Sequence, residues 1–467
     1  MAAMNIRTQK ALAKQGLRLE QHFSGISYLL TAPNGVQAEL LHAEGVTLDA
    51  KAVQQLREHM GLGADVKRLC TTPDFHAGSG EVGPPVGMVM ATAADLVFPH
   101  AIGTDINCGM RLHTTDLTLP VLMEHKGRIV SLLKGDLLLG TRDLPLTEDS
   151  FLEVFRTGVI GLLSSLTHRK GQLAASDMGQ LFQEVGRIYE DGSLNGDEKY
   201  SGFDFNGSSE RRDPGLGTVG QGNHFVEFQV VDEIFDRQTA FRWGLHEGSV
   251  CYMIHTGSRS VGLYVGRRWA DKARGLWPKG VKYPTVFPVR GDAVPQYLTA
   301  MNTAANYAFV NRFLLGEIIR LRMREVFPNL EAPLMYDLPH NLVFQEGGQN
   351  IHRKGAAPAH YDQPVLIPGS MGHPSYVLRG LGETTDGGVR FLSSASHGAG
   401  RASSRGEMHH VQDLGLDGVE CFTLRESRKV EEAPAAYRDI GPVVDVQIRA
   451  GTVAPVVKLR PLFTFKA

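Results

Sequence analysis

Nearly all the side chains best suited to hold a metal or attack a phosphate sit in glycine-dense turns scattered from residue 103 to residue 405, each turn next to a short apolar run. If those side chains act together, the chain must return many times to one place, with its strands ending there. The 53 glycines among 467 residues make such returns feasible, because glycine accepts the tight backbone that turns require. β-Branched runs such as residues 226–231 and 443–448 read as strands between those turns. The pattern predicts an α+β fold: mixed β-sheets flanked by helices around one central cleft.

Two helices stand out. One is expected from Thr47, with Val53, Leu56 and Met60 at helical spacing and Gly61 as its stop; a longer one is expected over residues 296–326, where Tyr307, Phe309, Val310, Phe313, Leu314 and Ile318 crowd one broad side before Pro328. Residues 1–40 read as a loosely patterned leader in which Ile26, Tyr28 and Leu30 alternate like a strand before the Pro33-Asn34-Gly35 turn. Residues 41–467 form the main unit. Within it, residues 170–216 are polar and lack a clear period, so they are expected to form a surface insertion.

No run reaches the roughly 18 to 20 apolar residues needed to span a bilayer, and the opening sequence lacks the apolar core and cleavage site of a secretory signal. The expected location is the cytoplasm, without a membrane partner. Four widely spaced cysteines are too few for a disulfide framework in a chain this long. A net charge of −2 argues against a non-specific polyanion binder, yet a local basic cleft would still hold a nucleic-acid end.

In GTDINCGM, Asp105 and Cys108 lie three residues apart among glycines. Alone, this pair suits a buried structural thiol as well as two ligands. In GTVGQGNHFVEF, a glycine turn delivers Asn223 and His224 to an apolar strand that carries Glu227; strand alternation puts Asn223, Phe225 and Glu227 on one face and His224 on the other. His255 and His340 also sit where a strand gives way to a turn. Asp105, Cys108, His224, His255 and His340 together supply five donors. The mixture of thiolate, imidazole and carboxylate suits zinc, cobalt, iron or manganese, and the thiolate can bridge two ions.

In ASHGAGRASSR, His397 stands among small residues with Arg401 and Arg405 behind it, an arrangement expected to form a phosphate nest with the histidine at its mouth. The stretch VLIPGSMGHPSYVL offers a second glycine turn with Ser370 and Ser375 as donors. His397 could be a base, a ligand or a nucleophile; as a nucleophile it would form a phosphoramidate with a nucleotide α-phosphate.

The motifs DINCGM, GQGNHFVEF, HTGSRS, DLPHN, HRKGA, PGSMG, SHGAGR and the closing LRPL…FK occur in the order found in RtcB RNA ligases, and the chain resembles that family over about residues 38 to 467. The resemblance implies an RtcB-like fold and two manganese ions on Asp105, Cys108, His224, His255 and His340, with Cys108 shared. His397 would be the residue that takes GMP from GTP. GTP would be held by Asn223, His224, Phe225, Val226 and Glu227, by His340 and Asn341, by Pro368, Gly369, Ser370 and Met371, by Ser375, by His397, Gly398, Ala399 and Gly400, and by Lys466, with Tyr437 packing on the base. The implied activity joins RNA 3′-phosphate or 2′,3′-cyclic phosphate ends to 5′-hydroxyl ends, in RNA repair or tRNA splicing, with room for an accessory activator protein. Arg211, Arg212, Arg259, Arg353 and Lys354 are candidate RNA contacts.

Asn107, Ser260, Ser403 and Ala467 depart from the family pattern and suggest a divergent paralogue. The competing reading is a metal-dependent phosphoesterase acting on RNA ends. It needs the same donors but has no use for a nucleophilic histidine in a glycine nest or for Glu227.

Overall fold

A computed structural model describes residues 10, 12–78, 83–205, 207 and 210–467. Two large sheets dominate. The first takes β1 (Arg18–His22), β2 (Ser27–Thr31), β3 (Gln37–Leu41), β4 (Arg68–His76) and β5 (Val86–Ala93) from the N-terminal part of the chain. The second begins with β6 (Gly109–Thr118), β7 (Phe225–Ile234), β8 (Ser249–Thr256) and β9 (Leu334–Pro339). The chain then returns to the first sheet through β10 (Asn341–Glu346) and β11 (Gln349–Lys354), giving the order β1-β2-β3-β4-β5-β11-β10. It closes the second with β12 (Pro364–Ile367), β13 (Ser375–Gly380), β14 (Cys421–Phe422) and β15 (Val453–Phe465), in the order β9-β6-β8-β7-β15-β13-β12 with β14 beside β15. The expected α+β class, with mixed sheets and helices, is what the chain adopts.

The leader contributes β1 to β3 at the edge of the first sheet, where β3 joins β4 in parallel through Glu39 and Leu40; residues 1–9 and 11 lie outside the described residues. Helix α1 (Ala50–Met60) forms because Asp49 caps it, accepting from the amides of Lys51 and Ala52 at 2.9 and 3.1 Å, while Val53, Leu56 and Met60 are buried. Helices α2 (Leu119–Lys134) and α3 (Arg259–Gly275) follow. The long α4 (Ala293–Arg324) is buried nearly all round. Its Phe309 and Phe313 belong to a core shared with β10 and β11, whereas Leu315, Ile319 and Met323 pack with α2 and the second sheet. It is the rod between the two sheets.

The segment from 170 to 216 sits deeper than its polar composition suggests. Leu173, Leu181, Ile188 and Leu216 join the core around α4, and Glu184 forms a buried ion pair with Arg320 at 2.6 Å. Residues 443–448, expected as a strand, belong instead to helix α5 (Ile440–Ala450). Ile440, Val443, Val444 and Gln447 recur at helical spacing, Asp439 caps the start and Gly451 closes the end in a left-handed conformation. A helix period outweighed β-propensity there. Among the described residues no helix is long and apolar enough to cross a membrane.

A single fully buried guanidinium ties the sheets' central ends together. Arg312 of α4 donates from Nε to Asp337 on β9 at 2.9 Å and from Nη1 to the carbonyls of Asn107 and Thr256 at 2.6 and 3.1 Å. Asn107 precedes Cys108, Thr256 follows His255, and Asp337 lies three residues before His340. Beside it, a Cβ at Gly109 would stand 2.7 Å from the Leu338 carbonyl and 2.9 Å from the Arg312 Cζ, so only glycine fits. Among the described residues, removing Arg312 leaves the buried Asp337 with only the longer bond from Arg111 Nη1 at 3.3 Å and strands the Thr256 carbonyl and the Asn107 carbonyl. Arg312→Ala is therefore expected to lower stability by roughly 3–5 kcal/mol, measured as the shift in urea midpoint at constant m-value; a loss below about 1 kcal/mol would mean that the pair is replaceable by solvent.

Candidate active site

One deep cleft of about 1390 Å³ opens between the sheets. Its floor is built where strands end. Cys108 immediately precedes β6, His224 precedes β7, His255 is the next-to-last residue of β8, and His340 is the single residue between β9 and β10. The His340 amide donates to the Cys108 carbonyl at 2.8 Å and its carbonyl accepts from Ala356 at 3.1 Å.

The structure brings all five expected donors together. Cys108 Sγ lies 3.2 Å from both His224 Nε2 and His255 Nε2; His224 Nε2 lies 3.1 Å from Asp105 Oδ2, and His255 Nε2 lies 3.4 Å from His340 Nε2. Two triads result, Cys108–His255–His340 and Asp105–Cys108–His224, sharing the sulfur. Ligands on one ion at metal distances of 2.0–2.3 Å would be about 3.3–3.6 Å apart, so the spacing fits. Burial first, and then the facing imidazoles, hold His255 and His340 well below the usual histidine pKa, which leaves neutral rings with lone pairs to offer. Burial of Asp105 is outweighed by His224 and Lys354, and its pKa is lowered. Burial, followed by the Asp105 carboxylate, pushes the Cys108 thiol well above its ordinary value, so without a cation it is protonated. The donor set therefore fits transition-metal ions, and a triad of protein ligands leaves positions open for exchangeable groups.

His397 stands at the edge of this cluster, its ring centroid 4.8 Å from that of His340. Its Nδ1 lies 2.7 Å from Asp74 Oδ2, whose carboxylate also receives the Thr72 hydroxyl at 2.5 Å. The carboxylate engages Nδ1 and orients the ring, so Nε2 is the nitrogen left to meet a ligand. Asp74 was not singled out in the sequence. Its signal was a carboxylate within the buried strand β4, in TTPDFH, without a glycine turn to mark it.

Asn223, Phe225, Glu227, His340, Asn341, Pro368 to Met371, His397 to Gly400, Tyr437 and Lys466 line the cleft. Val226 points the other way, into the core with Phe228 and Tyr252, as strand alternation requires. Ser375 lies behind the wall, where its Oγ receives Gln229 Nε2 at 2.9 Å and the Gly369 amide at 3.2 Å; it shapes the 368–371 turn. Glu227 is buried, and its oxygens accept from Thr464 Oγ1 at 2.6 Å and Gln229 Nε2 at 2.7 Å. Burial raises its pKa to about 7 against those two hydrogen bonds and Lys466. Each oxygen retains a second lone pair for a ligand.

The arginine nest differs from expectation. The buried Glu432 accepts from Arg401 Nη1 at 2.9 Å, from Arg405 Nε at 2.8 Å and from the Tyr437 hydroxyl. Arg401 spends further donors on the Glu431 and Ser403 carbonyls. Much of the anticipated positive charge is thus neutralised within the wall, while Arg405 remains half exposed. Of the proposed RNA contacts, Arg353 is buried against Glu346 at 2.6 Å, Arg211 lies among Phe151, Phe203 and Phe205, and Arg212 pairs with Asp143 at 2.8 Å. Arg259 donates to Thr218, and Lys354 lines the cleft. Asn107, with φ of 54°, takes a left-handed position suited to glycine or asparagine; its amide donates to the Ala305 carbonyl of α4 at 2.6 Å.

The family model described as tRNA-splicing ligase RtcB matches residues 55–467. An RNA-splicing ligase RtcB homolog from Entamoeba histolytica is 32% identical over 92% of this chain and 86% of its own length. The tRNA-splicing ligases RtcB of Pyrobaculum aerophilum and Nanoarchaeum equitans are 31% and 34% identical, over 94% and 86% of this chain and 98% and 88% of theirs. With the match running through the donor loops, the His397 turn and the C-terminal strand, this chain belongs to the RtcB family.

Proposed function

We propose that this protein is a GTP- and manganese-dependent RNA ligase that joins 3′-phosphate or 2′,3′-cyclic phosphate ends to 5′-hydroxyl ends through a guanylate on His397. The observation that carries this reading is the Asp74–His397 hydrogen bond, which occupies Nδ1 and leaves Nε2 as the available ring nitrogen beside two donor triads sharing one sulfur. A histidine held this way is prepared as a nucleophile.

Nε2 of His397 attacks the α-phosphorus of GTP, and the bond to the β-phosphate oxygen breaks to release pyrophosphate. An RNA 3′-phosphate oxygen then attacks the phosphoramidate, taking GMP and freeing the histidine. The 5′-hydroxyl of the second RNA attacks the activated 3′-phosphorus, GMP leaves, and the hydroxyl proton passes to solvent or a basic group. A cyclic end is first hydrolysed to the 3′-phosphate. Two manganese ions, held by Asp105, Cys108, His224, His255 and His340, would supply charge neutralisation of the phosphates. Asp74 stabilises the positive charge that develops on the ring. Glu227, ionised, accepts from guanine N1–H and the 2-amino group, a donor pair that adenine does not present, and Lys466 faces the same cleft.

Three measurements test the reading. His397→Ala should keep its metals and fold, fail to become labelled by GTP, and still join RNA supplied with a pre-activated 3′-diphosphate-guanosine end; covalent labelling of this variant, or loss of metal from it, removes His397 as nucleophile. A phosphoesterase would show no labelling even in the wild type.

Cys108→Ser is expected to lose most bound metal and nearly all labelling, because the sulfur serves both triads. Metal analysis of the folded variant decides it, and wild-type content would make Cys108 a packing residue.

Glu227→Gln offers one good acceptor where there were two, so preference for GTP over ATP should fall about ten- to a hundred-fold, the worth of a charged hydrogen bond of roughly 1.5–3 kcal/mol. With a carboxyl pKa near 7, wild-type preference should itself weaken as the pH drops below about 7 and the carboxylate gains a proton. Preference unchanged by either manipulation places guanine recognition elsewhere.

A further inference from the structure

Helix α3 starts at the donor cluster and leads away from it. Its Gly262 and Gly266 pack against Thr104, which lines the cleft, so the helix forms the outer side of that rim. Seventeen residues carry it about 25 Å outward. Its outer face and the loop after it expose Arg267, Arg268, Lys272, Arg274, Lys279 and Lys282, with Asp271 as the one acid between the first and last of them.

Among the described residues none of these six cations forms an ion pair, although Arg156, Arg212, Arg242 and Arg290 elsewhere on the surface all face carboxylates. Their contacts are neutral: Arg268 Nη1 donates to Tyr264 Oη at 3.1 Å, Lys272 Nζ donates to Gln296 Oε1 at 2.9 Å, and Arg274 lies over Phe287. Favourable placement at a helix C-terminus accounts for Lys272 and Arg274. It does not account for Arg267 and Arg268 in mid-helix, nor for Lys279 and Lys282 beyond the end. Leu276 and Val281 are interleaved with the cations, and Tyr283, 68% exposed and edge-on to Phe287, directly follows the last of them.

We propose that this face of α3 and the loop to Tyr283 form a track for single-stranded RNA leading to the cleft. Unpaired cations on a chain of net charge −2 complement a phosphodiester backbone, and an exposed aromatic beside them offers a stacking surface that suits unpaired bases. The track rests on the RNA-ligase reading for its substrate. It adds a contact remote from the reacting ends, which governs how strongly the RNA is held and leaves the loading of His397 untouched.

The test is anisotropy of a fluorescently labelled single-stranded RNA on full-length protein without GTP, from about 50 to 200 mM salt. The variant carries Arg267→Gln, Arg268→Gln, Lys279→Gln and Lys282→Gln. The slope of log affinity against log salt should become shallower by roughly 2 to 3, at about 0.7 per lost phosphate contact, and affinity should fall at least about tenfold. Labelling by GTP should equal that of the wild type. Wild-type affinity and slope in the variant overturn the proposal and leave an acidic protein as the occupant of this face. Failure of the ligase reading is distinguishable, because it shows as a wild-type protein that GTP does not label.

Discussion

The fold's central ends are held by one buried guanidinium. Arg312 reaches from the rod between the sheets to the loop before Cys108, the end of the strand bearing His255 and the strand that leads to His340. Charge buried so completely is tolerated only because Asp337 and two carbonyls satisfy it. Hydrophobic packing alone could not set the donors to within a few tenths of an ångström, since apolar contacts carry no direction. Directional hydrogen bonds from a rigid planar group can.

The same economy governs the nucleophile and the wall behind it. Asp74 orients a histidine by accepting one hydrogen bond, and Glu432 gathers Arg401, Arg405 and Tyr437 around a carboxylate with no exposed surface. The cleft therefore contains fewer free charges than its composition suggests. Among the described residues, those left to meet a ligand include Lys51, Lys354, Arg405, Arg438, Lys466, Glu227 and the backbone of the glycine turns.

The five donors were legible because each sits where an apolar run meets a turn, four of them beside glycines, and because five such residues together outweigh the structural reading that any one of them allows. The helices containing Val53 and Phe313 were legible from their period, to within three residues at each end. Asp74 was not, because it lies inside a strand where nothing local distinguishes a partner of His397 from a capped turn residue. Arg353 and Lys354 are neighbours in sequence, yet strand alternation sends one to Glu346 and the other to the cleft. Choosing between them requires the register of β11 against β5, and pairing between residues more than two hundred and fifty positions apart, as in Asn350 with Thr92, leaves no local trace. The leader's strands were partly legible in the alternation of Ile26, Tyr28 and Leu30, but the sheet they join was not.

His340 occupies the one-residue joint at which the chain leaves one sheet for the other, and its imidazole faces donors carried on the second sheet and on the loop entering it. A cation seated there would act as a rivet through two plates. Its binding energy would be felt by the whole molecule, because ligand that binds only the folded state adds to stability by mass action. Loading of this site and the stability of the whole scaffold are therefore coupled, each raising the other by the same free energy.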